Sequence, residues 1–314
     1  MSYVQVLMST YNGEQYLIEQ LESVLHQTYP VRLMVRDDGS SDRTVEILDA
    51  YQQTYENMEY YTGENKGVIG SFFDLMKHAD DKAEYYALSD QDDYWKPEKL
   101  EKAVGKLKEL EGSPAAMSQE GTRPLLYCGR PELVNQHLEP IQSEIKRPPY
   151  RPAFGNACIE NICTGCTAVF NHSLLELVNK ENPGFTVMHD WWLYLLASYL
   201  GIVYFDETPQ ICYRQHGDNE VGMNTSRLAE LKMRLGRYKK NRGNITHQLG
   251  ELKRITEKYA SELQRKEEKE LMEEVLSAKK KWGDRIKMVS DQRIYRQRKM
   301  DDLIFRMIFL TGSF

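Results

Sequence analysis

Three carboxylates stand within four residues at Asp90-Gln91-Asp92-Asp93, directly behind the apolar run Tyr85-Tyr86-Ala87-Leu88 and directly ahead of Tyr94-Trp95-Lys96-Pro97. Like charges at that spacing repel one another, and burying them unpaired is costly. A divalent cation relieves both penalties. Hard, oxygen-liganded Mg²⁺ or Mn²⁺ bridging to substrate phosphates is the usual reason to set carboxylates at a strand end. Taken alone, the cluster reads equally well as a solvated turn. Its surroundings decide between the two.

Val4-Gln5-Val6-Leu7-Met8 reads as a buried strand, followed by Ser9-Thr10-Tyr11-Asn12-Gly13 and a helical pattern of Tyr16, Leu17, Leu21, Val24 and Leu25. A second strand, Val31 to Val35, runs into Asp37-Asp38-Gly39-Ser40-Ser41-Asp42, and Val45, Ile47 and Leu48 open the next helix. The third, Asn57 to Tyr61, leads into Gly63-Glu64-Asn65-Lys66-Gly67, and the fourth ends at Asp90. Strand, polar loop and helix repeated in this way predict an α/β fold with a mostly parallel, doubly wound sheet. Ligands in that architecture bind beyond the C-terminal ends of the strands. All four polar clusters fall at such ends, so they converge in space and favour the metal reading.

Thr10-Tyr11-Asn12, Asp37-Asp38-Gly39-Ser40-Ser41-Asp42 and Ser89-Asp90-Gln91-Asp92-Asp93 with Trp95 resemble the family 2 glycosyltransferases of GT-A fold. Thr164-Gly165-Cys166, His189-Asp190-Trp191-Trp192 and Tyr213-Arg214-Gln215-His216-Gly217 narrow the resemblance to bacterial rhamnosyltransferases that build surface polysaccharides. It covers about residues 3–220. The resemblance implies that Asp92 is the direct ligand of Mg²⁺ or Mn²⁺, with Asp90 nearer the ribose or donor sugar and Asp93 bracing the loop. Asp38 matches the aspartate that hydrogen-bonds the pyrimidine, while Thr10, Tyr11 and Asn12 line the nucleotide. Asn65, Lys66 and Gln91 complete the nucleotide-sugar side. A carboxylate accepts the N3–H of uracil and thymine alike, so dTDP and UDP donors stay open. His216 resembles the histidine that completes the metal site in some enzymes of this fold; a surface histidine in a Gly-Asp-Asn turn is the rival.

Inverting transfer needs a base on the acceptor side to take the hydroxyl proton. Asp190 opens the run Trp191-Trp192-Leu193-Tyr194-Leu195-Leu196. The residues alone leave it either that base or the helix N-cap; the resemblance assigns the base. Trp191 and Trp192 read as wall and core. Two other classes compete. A sugar nucleotidyltransferase would carry a Gly-rich loop with Arg and Lys after the first strand, where this chain has Ser-Thr-Tyr-Asn-Gly-Glu. A non-catalytic nucleotide-sugar-binding protein would not need Asp190 together with an intact Asp-x-Asp.

The 314 residues suffice for a main domain, 1–220, and an appendage, 221–314. Residues 1–224 hold 18 Lys+Arg against 34 Asp+Glu, whereas 225–314 hold 23 against 13. The acidic body argues against nucleic acid as a partner. In the tail, Leu228, Leu231, Leu235, Ile245, Leu249, Leu252 and Ile255 recur at helical spacings, and Leu303 to Leu310 form an apolar end. Basic helices with such an end suit peripheral contact with an anionic membrane, a homodimer, or a cap on the main domain. No basic-then-apolar leader and no run of ~18–20 apolar residues is present, which predicts a cytoplasmic protein on the inner face of the membrane, working on a lipid-linked glycan acceptor. Cys163-Thr164-Gly165-Cys166 lacks a second pair for zinc and reads as two ordinary thiols beside a Gly turn. Pro140 to Pro152, with four prolines, predicts an extended segment that is either a lid or a plain connection.

Overall fold

The computed structural model describes residues 2–118, 121–141, 148–215, 243–312 and 314. His216 and Leu228, Leu231 and Leu235 lie outside the described residues, as does the middle of the proline-rich stretch. The first half alternates β1 (Val4–Thr10), α1 (Leu17–Leu25), β2 (Val31–Asp37), α2 (Thr44–Thr54), β3 (Met58–Thr62), α3 (Gly67–Lys77) and β4 (Tyr85–Ser89). There follow β5 (Tyr94–Trp95), α4 (Lys99–Glu111), a hairpin of β6 (Met117–Ser118) and β7 (Gly121–Thr122), β8 (Leu125–Gly129) and β9 (Glu132–Val134). A short α5 (Phe154–Ala157), β10 (Val169–Asn171), α6 (His172–Lys180), α7 (His189–Leu200), β11 (Ile202–Asp206) and β12 (Ile211–Arg214) complete the body. The described tail is four helices: α8 (Asn244–Tyr259), α9 (Lys266–Ala278), α10 (Trp282–Ser290) and α11 (Lys299–Thr311).

The main sheet has seven strands in the order β11-β8-β10-β4-β1-β2-β3. Only β10 runs antiparallel to its neighbours β4 and β8. Burial on both faces explains the near-continuous apolar sequence of β1 and β4. Side chains alternate between two cores: Val4, Val6, Met8, Tyr85 and Ala87 face one, while Leu7, Tyr86 and Leu88 face the other. The chain winds outward from β1 through β2 to β3, then returns to place β4 on the other side of β1. That reversal opens a crevice between the ends of β1 and β4, where a doubly wound sheet takes its ligand.

The tail helices are not a free appendage. Leu249, Leu252 and Ile255 of α8, Leu271, Met272 and Val275 of α9, and Phe305 and Phe309 of α11 are buried in the core that holds Trp192 and Leu196 of α7 and Tyr86 of β4. Packing as a cap on the main body therefore accounts for one face of the tail. Residues 148–152 are extended and tied down: Tyr150 N–H donates to Glu207, and Arg151 N–H to Gln297 Oε1 at 3.0 Å.

Candidate active site

Each polar loop at a strand end is fastened to its neighbour. Asn12, with φ of 49°, donates its N–H to Ser40 Oγ at 2.8 Å and accepts from Ser41 N–H at 2.8 Å. Asparagine tolerates that left-handed backbone better than most residues. Gln91 makes both hydrogen bonds of its amide with the backbone of Tyr11, at 2.8 and 3.0 Å. It thereby ties the loop after β4 to the loop after β1. Thr10 is fully buried and bonds Asp37 Oδ1 at 3.3 Å, so it shapes the loop from beneath while Tyr11, half exposed, lines the surface. Asp38 is buried: Oδ1 is paired with the Arg36 guanidinium and accepts Lys66 N–H at 2.8 Å. Asn65 Oδ1 accepts Gly67 N–H at 3.1 Å, and Lys66 Nζ reaches Asp74 at 2.7 Å.

The acidic cluster is built into the molecule rather than solvated. Asp93 is fully buried and Asp90 and Asp92 partly so. Ligand atoms of Asp90, Asp93 and Cys166 lie within 4.8 Å of one another, with Asp92 outside that group. Burial pushes the Asp90 carboxyl up to about 7, reinforced by the negative charges of Asp92 and Asp190. Burial likewise drives Asp93 and the Cys166 thiol well above their ordinary ranges. A thiol held protonated is a poor ligand for a hard cation, whereas crowded carboxylates are good ones. The donor set thus fits Mg²⁺ or Mn²⁺ on carboxylate oxygen, with Cys166 as a neutral wall.

Two cations that sequence reasoning passed over brace this loop. Arg214, 1% exposed, donates its backbone N–H to Asp93 Oδ1 at 3.2 Å and its Nε to the Asp92 carbonyl at 2.9 Å, while its guanidinium also pairs with Glu19. The small sheet β5-β12-β9 brings it there, because β5 follows the cluster directly and pairs with β12. Lys99 is buried with its Nζ 3.4 Å from the Trp95 ring centroid, and burial lowers it to about 7. Arg214 stands within the Tyr213–Gly217 motif, whereas a lysine at a helix start such as Lys99 carries no local signal of burial.

Asp190 is the second residue of α7 and 8% exposed. Its Oδ1 accepts Trp191 N–H at 2.6 Å and its Oδ2 accepts Gly165 N–H at 3.0 Å. Burial raises it to about 6, partly offset by those bonds and by the Asn161 side chain. Asp190 thus stands as a buried carboxyl raised toward neutral pH, within electrostatic reach of Asp90. His189 is neutral core, lowered to about 3 by burial and stacked on Phe72 at 4.1 Å. Trp192 is fully buried, and Trp191 donates Nε1 to the Ala157 carbonyl at 2.7 Å. A cleft of about 470 Å³ runs between α3 and residues 182–186, along the segment that leads to Asp190.

The sheet order, the strand-end loops and the carboxylate pair are those of a GT-A nucleotide-sugar enzyme. Residues 5–176 match the model of glycosyl transferase family 2, and the chain belongs to that family. It is 32% identical over 241 residues to the dTDP-rhamnosyl transferase RfbG of Shigella flexneri, covering 73% of this chain and 78% of that one. Similarity to the uncharacterized glycosyltransferase RT0329 of Rickettsia typhi is 26% over 234 residues, covering 72% and 68%. Among solved structures, S. aureus TarS 1–349 in complex with UDP-GlcNAc superposes with a TM-score of 0.52 at 18% identity, over 79% of this chain and 66% of that one. The chain spans 37% of the longer TarS chain that it matches. These likenesses establish a glycosyltransferase of GT-A fold.

Gly165 sets the position of Asp190. A Cβ there would lie 2.9 Å from His189 Nε2 and 3.5 Å from Asp190 Cβ. Gly165→Ala is expected to push α7 outward and lower turnover at least about 10-fold, since small misplacements of reacting groups are costly. Nucleotide affinity, measured by calorimetry, should stay within about twofold, because Gly165 touches none of the β1–β3 loops.

Proposed function

We propose that this chain is an inverting, metal-dependent glycosyltransferase that moves L-rhamnose from dTDP-rhamnose to a lipid-linked saccharide acceptor in surface-polysaccharide synthesis. The observation that carries the reading is Asp190, a buried carboxylate near pKa 6 beside the acidic cluster at the end of β4. The choice of donor is supported by the 32% identity to a dTDP-rhamnosyl transferase over 73% of this chain.

In this mechanism Asp38 accepts the pyrimidine N3–H through the carboxylate oxygen not held by Arg36. Tyr11 and Asn12 wall the nucleotide, with Asn65 and Lys66 at the edge. Asp92 would hold the divalent ion, with His216 proposed to complete the set and Asp90 nearer the ribose or donor sugar. The ion supplies charge neutralisation for the diphosphate leaving group. Asp190 takes the proton of the acceptor hydroxyl as its oxygen bonds to the anomeric carbon. The bond from that carbon to the diphosphate oxygen breaks on the opposite face, and its electron pair leaves with the diphosphate.

Because a carboxylate treats uracil and thymine alike, a UDP-linked sugar is the second reading. A screen of nucleotide diphosphate release from dTDP- and UDP-sugars with a saccharide acceptor separates them. dTDP-rhamnose is expected to give the highest kcat/KM, with activity lost in excess EDTA and in Asp92→Ala. Full activity of that variant under EDTA would overturn the metal assignment.

Asp190 works as the carboxylate, so kcat should fall about tenfold per pH unit below about 6 and level off above it. Asp190→Asn keeps the shape and removes the base. Its rate is expected to drop on the order of 10²–10⁴-fold with donor affinity unchanged. A rate within a few-fold of wild type would reduce Asp190 to a helix cap.

The tail supports peripheral contact with an anionic membrane. α11 is apolar on both sides: Ile304, Phe305 and Phe309 are buried, whereas Met300, Leu303, Met307 and Leu310 form an exposed stripe at helical spacing. Trp282 and Ile286 of the adjoining α10 are exposed too. Residues 279–314 carry ten Lys and Arg against four Asp, the charge that suits acidic lipid. Leu303→Glu/Met307→Glu is expected to abolish sedimentation with anionic vesicles at low salt while transfer to a soluble acceptor continues. A dimer-to-monomer shift, with vesicle binding unaffected, would assign the stripe to a second copy instead.

A further inference from the structure

The segment that delivers Asp190 is held from outside the family domain, by the tail. Residues 181–188 form a strap between α6 and α7 with no regular structure before His189. Its polar groups turn toward α8. Gln248, 1% exposed, accepts two hydrogen bonds at Oε1, from Thr186 Oγ1 at 2.9 Å and Val187 N–H at 2.8 Å. Glu251 Oε2 accepts Gly184 N–H at 2.8 Å. Phe185 stacks parallel on His247 with ring centroids 4.4 Å apart. At the far end, Glu181 pairs with Arg254, with Lys258 Nζ at 2.9 Å and with the Tyr259 hydroxyl at 3.0 Å.

A single helix thus contacts the strap from His247 to Tyr259, over about three and a half turns, and the deepest contact falls three and four residues before the carboxylate. Backbone N–H groups without a ladder must find partners, and a buried side-chain oxygen that supplies them fixes the path of the strap. Exposed ion pairs such as those at Glu181 fix little by themselves. The buried amide is the decisive element.

We propose that Gln248 is a positioning residue for catalysis: it clamps the 186–187 backbone of the strap, so that α8 sets where Asp190 meets the acceptor hydroxyl. The role rests on reading Asp190 as the base. It gives the tail a part in the reaction separate from any contact with membrane, because Gln248, the residue of α8 that holds the strap most deeply, is buried.

The test uses the full chain. Gln248→Met keeps the side chain's length and apolar packing and removes the acceptor oxygen. At saturating donor and acceptor, kcat is expected to fall on the order of 10- to 100-fold, with donor Kd within twofold. Thr186→Val, which removes one of the two donors from a half-buried site, should give a smaller loss in the same direction. Gln248→Glu, which retains acceptor oxygens, should restore most of the rate. Leu252→Val serves as the control, since it loosens the same helix in the core without touching the strap. Its kcat below the melting temperature should match wild type even where its Tm falls as far as that of Gln248→Met.

Equal loss of kcat in Leu252→Val and Gln248→Met would overturn the proposal in favour of plain destabilisation, as would unchanged kcat in Gln248→Met. The Asp190→Asn background separates this from failure of the base assignment. If Asp190→Asn is itself nearly as fast as wild type, the base reading fails. If it is slow, adding Gln248→Met should cost little more, because both changes remove the same action. A full further loss in the double variant would mean that the clamp acts on some other group.

Discussion

Crowding of like charge at the end of β4 is the constraint around which the rest is arranged. Asp90, Asp92 and Asp93 occupy four residues, Asp190 adds a fourth carboxylate from α7, and burial raises Asp90, Asp93 and Asp190 together. Left to itself such a cluster would open the loop to water. It stays closed because Arg214 ties the backbone of Asp92 and the side chain of Asp93 to β12, and Gln91 ties the same loop to Tyr11. The small sheet and the topological crevice therefore have one purpose at this point. They hold in place an arrangement of like charges that is unfavourable by itself.

The broad plan was legible in the sequence because it depends on local pattern. Apolar runs of five to seven residues, each followed by a polar cluster and a helical period, specify parallel strands and put the clusters at one edge. The strands fall on those runs: β1 and β2 continue two residues past the apolar pattern, to Thr10 and Asp37, the third is shifted by one residue to Met58–Thr62, and the fourth ends at Ser89. What the pattern could not carry was which side chains are free at that edge. Thr10 and Gln91 have the types expected of ligand-binding residues, yet Thr10 is buried under Asp37 and Gln91 is engaged with Tyr11. Their partners lie 27 and 80 positions away, beyond any local signal. Cys166 was read as an ordinary thiol, and its approach to Asp90 and Asp93 follows only from the turn at Gly165.

The tail shows a different limit. Its helical period at Ile245, Leu249, Leu252 and Ile255 was visible, but a period reports an apolar face and not what covers it. Here the main body covers it, since Leu249, Leu252 and Ile255 share a core with Trp192 and Leu196. The sequence also carried a polar residue inside that face. Gln248 sits next to Leu249 and is as buried as its apolar neighbours. An amide in such a position is costly unless bonded, so its presence there asks for a partner from outside the helix.

That partner is the strap before α7, and the connection ties the position of Asp190 to the tail. Asp38 and the acidic cluster directly follow β2 and β4, which pair on either side of β1 and share one rigid ladder with it. Asp190 has no such attachment. It follows an irregular segment and opens a helix that packs on the opposite core, so its distance from Asp90 is set by α7, by Gly165 and by whatever fixes residues 181–188. Gly165 governs the approach from the sheet side and α8 governs it from the tail side. The Asp190 carboxylate is thus located by two restraints meeting across α7, one from the Gly165 turn and one from the strap that α8 holds.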